Sequence, residues 1–383
     1  MFTTIKDKDI VDGSATDAYF LRTEESLKHA GKNPTVIADI SADQFGDNQY
    51  EVLAGVNDAV SLLAEASDNI EVWAIPEGSL FDGGPVMRIQ GKYLDFARYE
   101  TSLLGFLSQA SGIATNALRT TRVAEDFKDF KGDNPDVLSF GARHMHPKIA
   151  PVIERSALIG GVDGFSHVAS GKVLDREPTG TMPHALMLAM DDQESAWTAF
   201  NESAPADVPR ITLCDTFTDE ADESVRAAEL LGDDLDGVRL DTTGSRRGNF
   251  RHIIKEVRWK LDAKGHENVN IYVSGGLGPE DVRELGDVVD GFGIGGYISN
   301  ADPVDFSLDI VELEGKPTTK RGKLPGIKKV YRDNNKHIIE PSKRISEGMF
   351  EKVVENGEIL TNFSIEEARN QVQNDVNRLD YTY

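Results

Sequence analysis

Apolar positions along the chain fall into two rhythms. The first third mixes helical spacing with short runs of strand character. It predicts helices over Thr16–Ala30 and Asn57–Ala66, and strands at Pro34–Ser41 (PTVIADIS), Ile70–Pro76 (IEVWAIP) and Pro85–Tyr93. The turn-rich EGSLFDGG lies between the last two strands. From Leu94 a helical pattern runs to about Arg122, and Gly112 inside it leaves one helix or two open.

From about residue 136 the rhythm becomes strand, loop, helix, repeated. Apolar runs occur at Val137–Phe140, Gly161–Val168, Ile211–Leu213, Gly237–Leu240, Val269–Val273 and Val289–Ile294. Helical stretches at Pro147–Ile159, Glu220–Leu231, Asn249–Ala263 and Pro279–Leu285 separate most of them. Such alternation predicts parallel βαβ units, and a long series points to a closed or nearly closed α/β barrel. After about residue 300 the rhythm stops. Strands are expected at Asp305–Leu313 and Gly326–Tyr331, with the basic loop Lys316–Lys323 between them and a helix over Ser364–Leu379. The expected organisation is an N-terminal α+β domain over 1–115, an irregular α/β barrel over 116–300, and a small C-terminal lobe over 301–383. That last segment is either a domain of its own or a return of the chain onto the first.

Charge changes the picture more than size does. The 383 residues carry 65 acidic against 41 basic side chains, a net charge of −24. So acidic a chain repels phosphate backbones and anionic membrane surfaces, which argues against nucleic-acid and membrane partners. The excess is spread along the sequence, and regular apolar runs separate it from a disordered acidic protein. A self-repelling surface is best tolerated where salt screens it, so a salt-rich, halophilic cytoplasm is expected. Cys214 is the only cysteine, which excludes an intrachain disulfide and a multi-thiolate zinc site. No apolar stretch approaches the ~18 residues of a membrane span, so a cytoplasmic location is expected.

In a parallel α/β barrel the residues at the C-terminal strand ends face the active site. Here those ends carry Phe140 and Arg143 with His144 and His146, then Asp163 and His167, Asp215, Arg239 with Asp241, Ser274-Gly275-Gly276, and Gly295-Gly296. The two glycine clusters are phosphate candidates, because glycine lets backbone N–H groups approach oxygens closely. Arg143 suits a carboxylate or phosphate, or a salt bridge to a nearby acid. Asp215 and Asp241 suit a ribose hydroxyl or Mg²⁺, although a solvated position is the default in a chain with 37 aspartates. His184, in GTMPH, is by itself more often structural, and Cys214 reads as an inert core thiol.

The segments TDAYFLRTEE, EGSLFDGGPVMRIQGKY, FLSQASGIAT, FGARHMHP, GTMPHAL, RLDTTGS, VSGGL and GFGIGG occur in that order over about residues 14 to 325. Together they resemble the nicotinate phosphoribosyltransferases, type II phosphoribosyltransferases, in their archaeal form. The resemblance implies transfer of 5-phosphoribose from phosphoribosyl pyrophosphate (PRPP) to nicotinate, giving nicotinate mononucleotide and pyrophosphate, with Mg²⁺ on the departing pyrophosphate. It implies Phe140 stacked on the pyridine, Arg143 on its substituent or on phosphate, and Asp163 near the base. It also implies Arg239 and Asp241 at phosphate and ribose, with Ser274, Gly275, Gly276, Gly295 and Gly296 around the 5-phosphate. Tyr19 would reach the base of a partner subunit in a homodimer. His184 matches a histidine that some members phosphorylate with ATP. Some archaeal relatives carry a cysteine-rich zinc knuckle after the KRGK loop; the absence of cysteine there implies no zinc. Within the fold, quinolinate phosphoribosyltransferase is the near alternative, and a non-catalytic nucleotide-binding protein the distant one.

Overall fold

The computed structural model describes residues 2–43, 45, 49–128, 133–190, 192–333, 336–379, 381 and 383. Two compact units divide the chain: Met1–Thr115 with Asp302–Thr382, and Asn116–Ala301 with Tyr383.

The first unit is built on a seven-stranded sheet, ordered Lys316–Pro317, Phe306–Leu313, Thr35–Ala42, Gly84–Lys92, Glu71–Ala74, Glu351–Glu355, Glu358–Ile359, with antiparallel neighbours. The strand Thr35–Ala42 is buried on both faces, which explains why its apolar run scarcely alternates. Its one charged residue, Asp39, stands opposite Arg88 across the strand pair. The two form a fully buried fork, Nε to Oδ1 at 2.6 Å and Nη2 to Oδ2 at 3.2 Å, and Lys328 adds a third contact at 3.2 Å. The helix Val56–Ala66 contributes Val56, Ala59, Val60, Leu62 and Leu63 to the same core.

A separate C-terminal lobe over 301–383 does not form. Phe306–Leu313 pairs with Thr35–Ala42, and Glu351–Glu355 pairs with Glu71–Ala74, so the returning chain completes the first unit's sheet. Gly112 does not break its helix either, and Glu100–Glu125 runs through it. A Cβ at Gly112 would come within 2.2 Å of the Asp302 carbonyl oxygen, so glycine serves close packing there.

The second unit holds a six-stranded, all-parallel sheet ordered Gly164–Phe165, Asp136–Ser139, Gly291–Ile294, Asn270–Ser274, Gly237–Leu240, Ile211–Leu213. The barrel is thus a half-barrel. Its end strands, Gly164–Phe165 and Ile211–Leu213, do not pair with each other among the described residues. Helices Glu220–Leu231 and Pro279–Leu285 fall where the apolar spacing puts them. The expected strand Gly161–Val168 shrinks to Gly164–Phe165, because His167 caps a new helix, Val168–Leu174, by accepting from the Ser170 amide. That helix and the next, His184–Ala189, leave Val168, Val173 and Leu188 exposed, so neither announces itself as an amphipathic stripe. Among the described residues no helix is long and apolar enough to cross a membrane.

Candidate active site

The C-terminal ends of the parallel strands open on a cavity of about 1030 Å³ within the second unit. Phe140, Arg143, Arg239, Asp241, Ser274, Gly275, Gly276, Gly295 and Gly296 all line it. Strand direction gathers these residues, which lie up to 156 positions apart in sequence.

Phe140 continues the first strand, its amide donating to the Ile294 carbonyl at 2.9 Å. The ring lies directly against Gly293, where a Cβ would meet it at 2.3 Å. Glycine at 293 therefore makes the space that the aromatic ring fills. Arg143 sits on the short 3-10 turn Ala142–His144 and is exposed. Among the described residues no acid or carbonyl bonds to its guanidinium, so its charge is available to a ligand.

Arg239 and Asp241 leave the end of Gly237–Leu240 and meet through Ser274. Arg239 Nη1 donates to Ser274 Oγ at 3.1 Å, and that hydroxyl donates to Asp241 Oδ1 at 2.8 Å. Arg239 Nη2 donates to the Met182 carbonyl at 2.8 Å, while its Nε has no partner. Burial pushes this guanidinium below its ordinary range, and Asp241 and Asp215 pull it back. Gly275 and Gly276 both adopt positive φ, +100° and +71°. Arg247 holds this turn from the end of the short helix Gly244–Arg247, its Nη2 donating to the carbonyls of Ser274 (2.8 Å) and Gly275 (2.6 Å).

His184 is the first residue of His184–Ala189 and does not itself line the cavity, though Met182 and Pro183 do. Its Nδ1 lies 3.2 Å from Thr216 Oγ1, and its Nε2 lies 3.6 Å from Asp215 Oδ1 and 3.9 Å from Asp241 Oδ2. Asp215 Oδ2 accepts from the Asp241 amide at 2.6 Å, but the buried Oδ1 has no hydrogen-bond partner. Burial pushes the Asp215 carboxyl up to about 6, with His184 drawing it down. Among the described residues no group of three or more His, Cys, Asp or Glu gathers as a metal cage. An unpartnered Asp215 oxygen beside Asp241 fits a cation that takes its other ligands from phosphates.

Two expected residues do not line this cavity, and of these only Asp163 was expected in it. Asp163 is at the opposite rim, where its Oδ2 accepts from the Val137 amide at the start of the first strand. Asp236 and Asp290 do the same for Arg210 and Ile271. Asp163 is therefore one of a set of strand-start clasps and does not line the cavity. Tyr19 belongs to the first unit, where its half-exposed ring leans on Phe20 at 4.3 Å. Cys214 is fully buried and its thiol is pushed up by that burial, as an inert core thiol should be.

Sequence reasoning missed the groups that hold the strand-end loops. Glu223 accepts from the backbone amides of Thr216, Phe217 and Thr218, and Glu220 accepts from Thr242. Both stand in the acidic run DEADE, where nothing separates a buried clasp from a solvated face.

Matches to known proteins agree with this geometry. The N-terminal domain model of quinolinate phosphoribosyl transferase matches residues 17–111, and the C-terminal domain model matches residues 113–309. The chain belongs to this phosphoribosyl transferase family. Its similarity to individual members is more specific. It is 28% identical over 315 residues to a nicotinate phosphoribosyltransferase of Mycobacterium tuberculosis, covering 78% of this chain and 65% of that one. It is 29% identical over 296 residues to the nicotinate phosphoribosyltransferase of Bacillus subtilis, covering 72% and 57%. The chain thus spans somewhat less than two thirds of the length of these relatives. Over its whole length it is similar to the crystal structure of a nicotinate-nucleotide pyrophosphorylase from Pyrococcus furiosus, with 45% identity, a TM-score of 0.92 and coverage of 100% and 99%. Human nicotinic acid phosphoribosyltransferase shares the fold at 19% identity, TM-score 0.72, covering 95% and 94%.

Proposed function

We propose that this chain is a nicotinate phosphoribosyltransferase, joining nicotinate to the 5-phosphoribose of PRPP and releasing pyrophosphate. The observation that carries this reading is the cationic inventory of the cavity. Its lining holds two arginines, Arg143 and Arg239, and no lysine. Arg239 is already bonded to Ser274 and Met182, which leaves Arg143 as the one arginine free to pair with a carboxylate on the base. Nicotinate brings one carboxylate; quinolinate brings two and would find only the imidazoles of His144 and His167 in the lining for the second.

In this reading Phe140 stacks on the pyridine while Arg143 grips its carboxylate. The Gly275–Gly276 and Gly295–Gly296 turns receive the 5-phosphate, and Asp241 and Arg239 face ribose and phosphate. The pyridine nitrogen attacks C1 of the ribose as the bond from C1 to the pyrophosphate oxygen breaks, with no proton transferred. Catalysis then rests on alignment and on stabilising the cationic sugar, a task suited to Asp241. Mg²⁺ held by Asp215 or Asp241 would neutralise charge on the leaving pyrophosphate. ATP fits as a co-substrate whose γ-phosphoryl group passes to the His184 ring as ADP leaves. Tyr19 on an exposed helix is suited to completing the base site of a second copy in a homodimer.

The test is product formation in concentrated KCl with PRPP and Mg²⁺, offering nicotinate, quinolinate or nicotinamide, each with and without ATP. Nicotinate mononucleotide formed from nicotinate alone is the expected result. Turnover of quinolinate with release of CO₂ would reassign the substrate, and no product from any base would reassign the protein as a nucleotide binder.

A further inference from the structure

Glu223 lies in the helix Glu220–Leu231 and is fully buried. Among the described residues no cation pairs with it. Five donors converge on it instead. Oε1 accepts from the amides of Phe217 (2.8 Å) and Thr218 (2.5 Å) and from Thr218 Oγ1 (3.2 Å), and Oε2 accepts from the Thr216 amide (2.9 Å) and from Gln193 Nε2. Gln193 in turn opens the helix Gln193–Ser203 and is held by Arg226 at 3.0 Å.

The loop clasped in this way carries the two groups that bracket the His184 ring. Thr216 meets Nδ1, and Asp215 faces Nε2. Gln193 lies nine residues beyond His184 on the segment that delivers the histidine. One carboxylate thus ties together both sides of the His184 contact. A carboxylate suits this cluster because it offers about four lone-pair sites and no hydrogen, and Thr218 shares Oε1 between its amide and its hydroxyl. A glutamine of the same shape does not, since its NH₂ would face an N–H in a dry site. One backbone amide would lose its partner or the loop would move.

We infer that Glu223 is a positioning residue for His184, fixing Thr216 and Asp215 around the imidazole and so setting the reactivity of that histidine. The ATP-driven part of this inference rests on the function proposed above; the positioning itself does not.

The experiment compares wild type, Glu223→Gln and Glu223→Asp, each labelled with ¹³C at histidine Cε1, with the His184 signal identified by its loss in His184→Asn. Glu223→Gln is expected to shift or broaden the His184 signal. ATP-driven kcat should fall roughly 10- to 100-fold, the usual cost of losing a group that orients a reacting side chain, with KM for nicotinate unchanged. Glu223→Asp, which keeps both oxygens, should recover part of the loss. A wild-type His184 signal together with wild-type ATP-driven kcat in Glu223→Gln would overturn the inference. If that variant does not fold, Gln193→Met removes one side-chain donor and leaves the three backbone donors in place. It should move the His184 signal in the same direction, and an unmoved signal would overturn the inference equally. Absence of phosphoribosyl transfer in the wild type would remove the proposed function, while the His184 signal would still judge Glu223.

Discussion

Asp215 Oδ1 lies 3.6 Å from His184 Nε2 and accepts no hydrogen bond, and burial pushes this carboxyl up to about 6 while His184 draws it down. Below that pH Asp215 is neutral and gives no electrostatic support to positive charge developing on the His184 ring; above it the support is present. Under the function proposed above, with Mg²⁺ on Asp241, the ATP-driven rate is expected to fall as pH drops through about 6, and Asp215→Asn should abolish that acid limb. The effect on stability has the opposite sense. The native state holds the Asp215 proton more tightly than the unfolded chain, whose value is near 3.8, so this contribution is full below that value and is lost as pH rises towards 6. Rate profiles of both proteins between pH 5 and 8 check the first point, with identical acid limbs as the contrary result.

Arg143 is exposed and has no acid bonded to it among the described residues, so its removal should disturb little but ligand binding. Arg143→Ala is expected to raise KM for nicotinate roughly 10- to 100-fold, as one charge-assisted hydrogen-bond pair contributes about 1.5–3 kcal/mol. KM for PRPP should change much less. Steady-state kinetics with each substrate varied in turn separates the two, and an equal rise in both would move Arg143 from the base to the phosphate.

The turn at Gly275 admits no side chain for two independent reasons. Its φ is +100°, and a Cβ would lie 2.6 Å from Arg247 Nη2 and 3.0 Å from Asp241 Oδ1. Gly275→Ala should weaken PRPP binding at least about tenfold, because the same displacement moves Asp241 and releases Arg247. Gly276→Ala is the control for space alone, since nothing lies within 4 Å of its Cβ position although its φ is +71°. Titration calorimetry with PRPP should rank wild type first, Gly276→Ala second and Gly275→Ala last.

The strand-end chemistry was legible because each βα unit repeats one grammar: an apolar run, then polar or glycine residues at the rim. Phe140, Arg239, Asp241 and the two glycine pairs could be found by position alone. Asp163 could not be placed that way, because a two-residue strand gives no clear end. The same side chain reads as a rim acid or as a strand-start clasp until Val137 is seen to donate to it. The returning C-terminal chain was equally hidden: Phe306–Leu313 shows that a strand forms, but its partner Thr35–Ala42 lies over 260 residues earlier. Glu223 was invisible since burial, and not identity, makes it a clasp.

Net charge of −24 on a fold with exposed ion pairs such as Lys260–Asp222 and Lys264–Glu229 gives a direct prediction about salt. Self-repulsion should destabilise the protein in dilute buffer, and screening should restore it. Tm is expected to rise steadily as KCl is increased to several molar, and more steeply than the increase seen for a protein near neutrality. Unchanged Tm across that range would remove the halophilic expectation.

Glu154 offers a test of the core beneath the same strand end. It lies in Ala150–Ile159, fully buried, and neither carboxyl oxygen has a hydrogen-bond partner. Burial pushes it up to about 7, and Ser139 pulls it only partway back. In the unfolded chain the same carboxyl titrates near 4.5. The native state therefore prefers the protonated form, and its stability falls as pH rises from about 4.5 to 7 and then levels off. A shift of that size corresponds to on the order of 3 kcal/mol between the two ends of the window. Glu154→Gln carries no charge at any pH, so it should be more stable than wild type at pH 8, by up to that amount less the cost of burying an amide. The advantage should vanish at pH 4.5. Urea denaturation midpoints of both proteins at the two pH values decide it: a variant less stable than wild type at pH 8 would mean that the Glu154 carboxylate is partnered in solution and ionises at its ordinary pH.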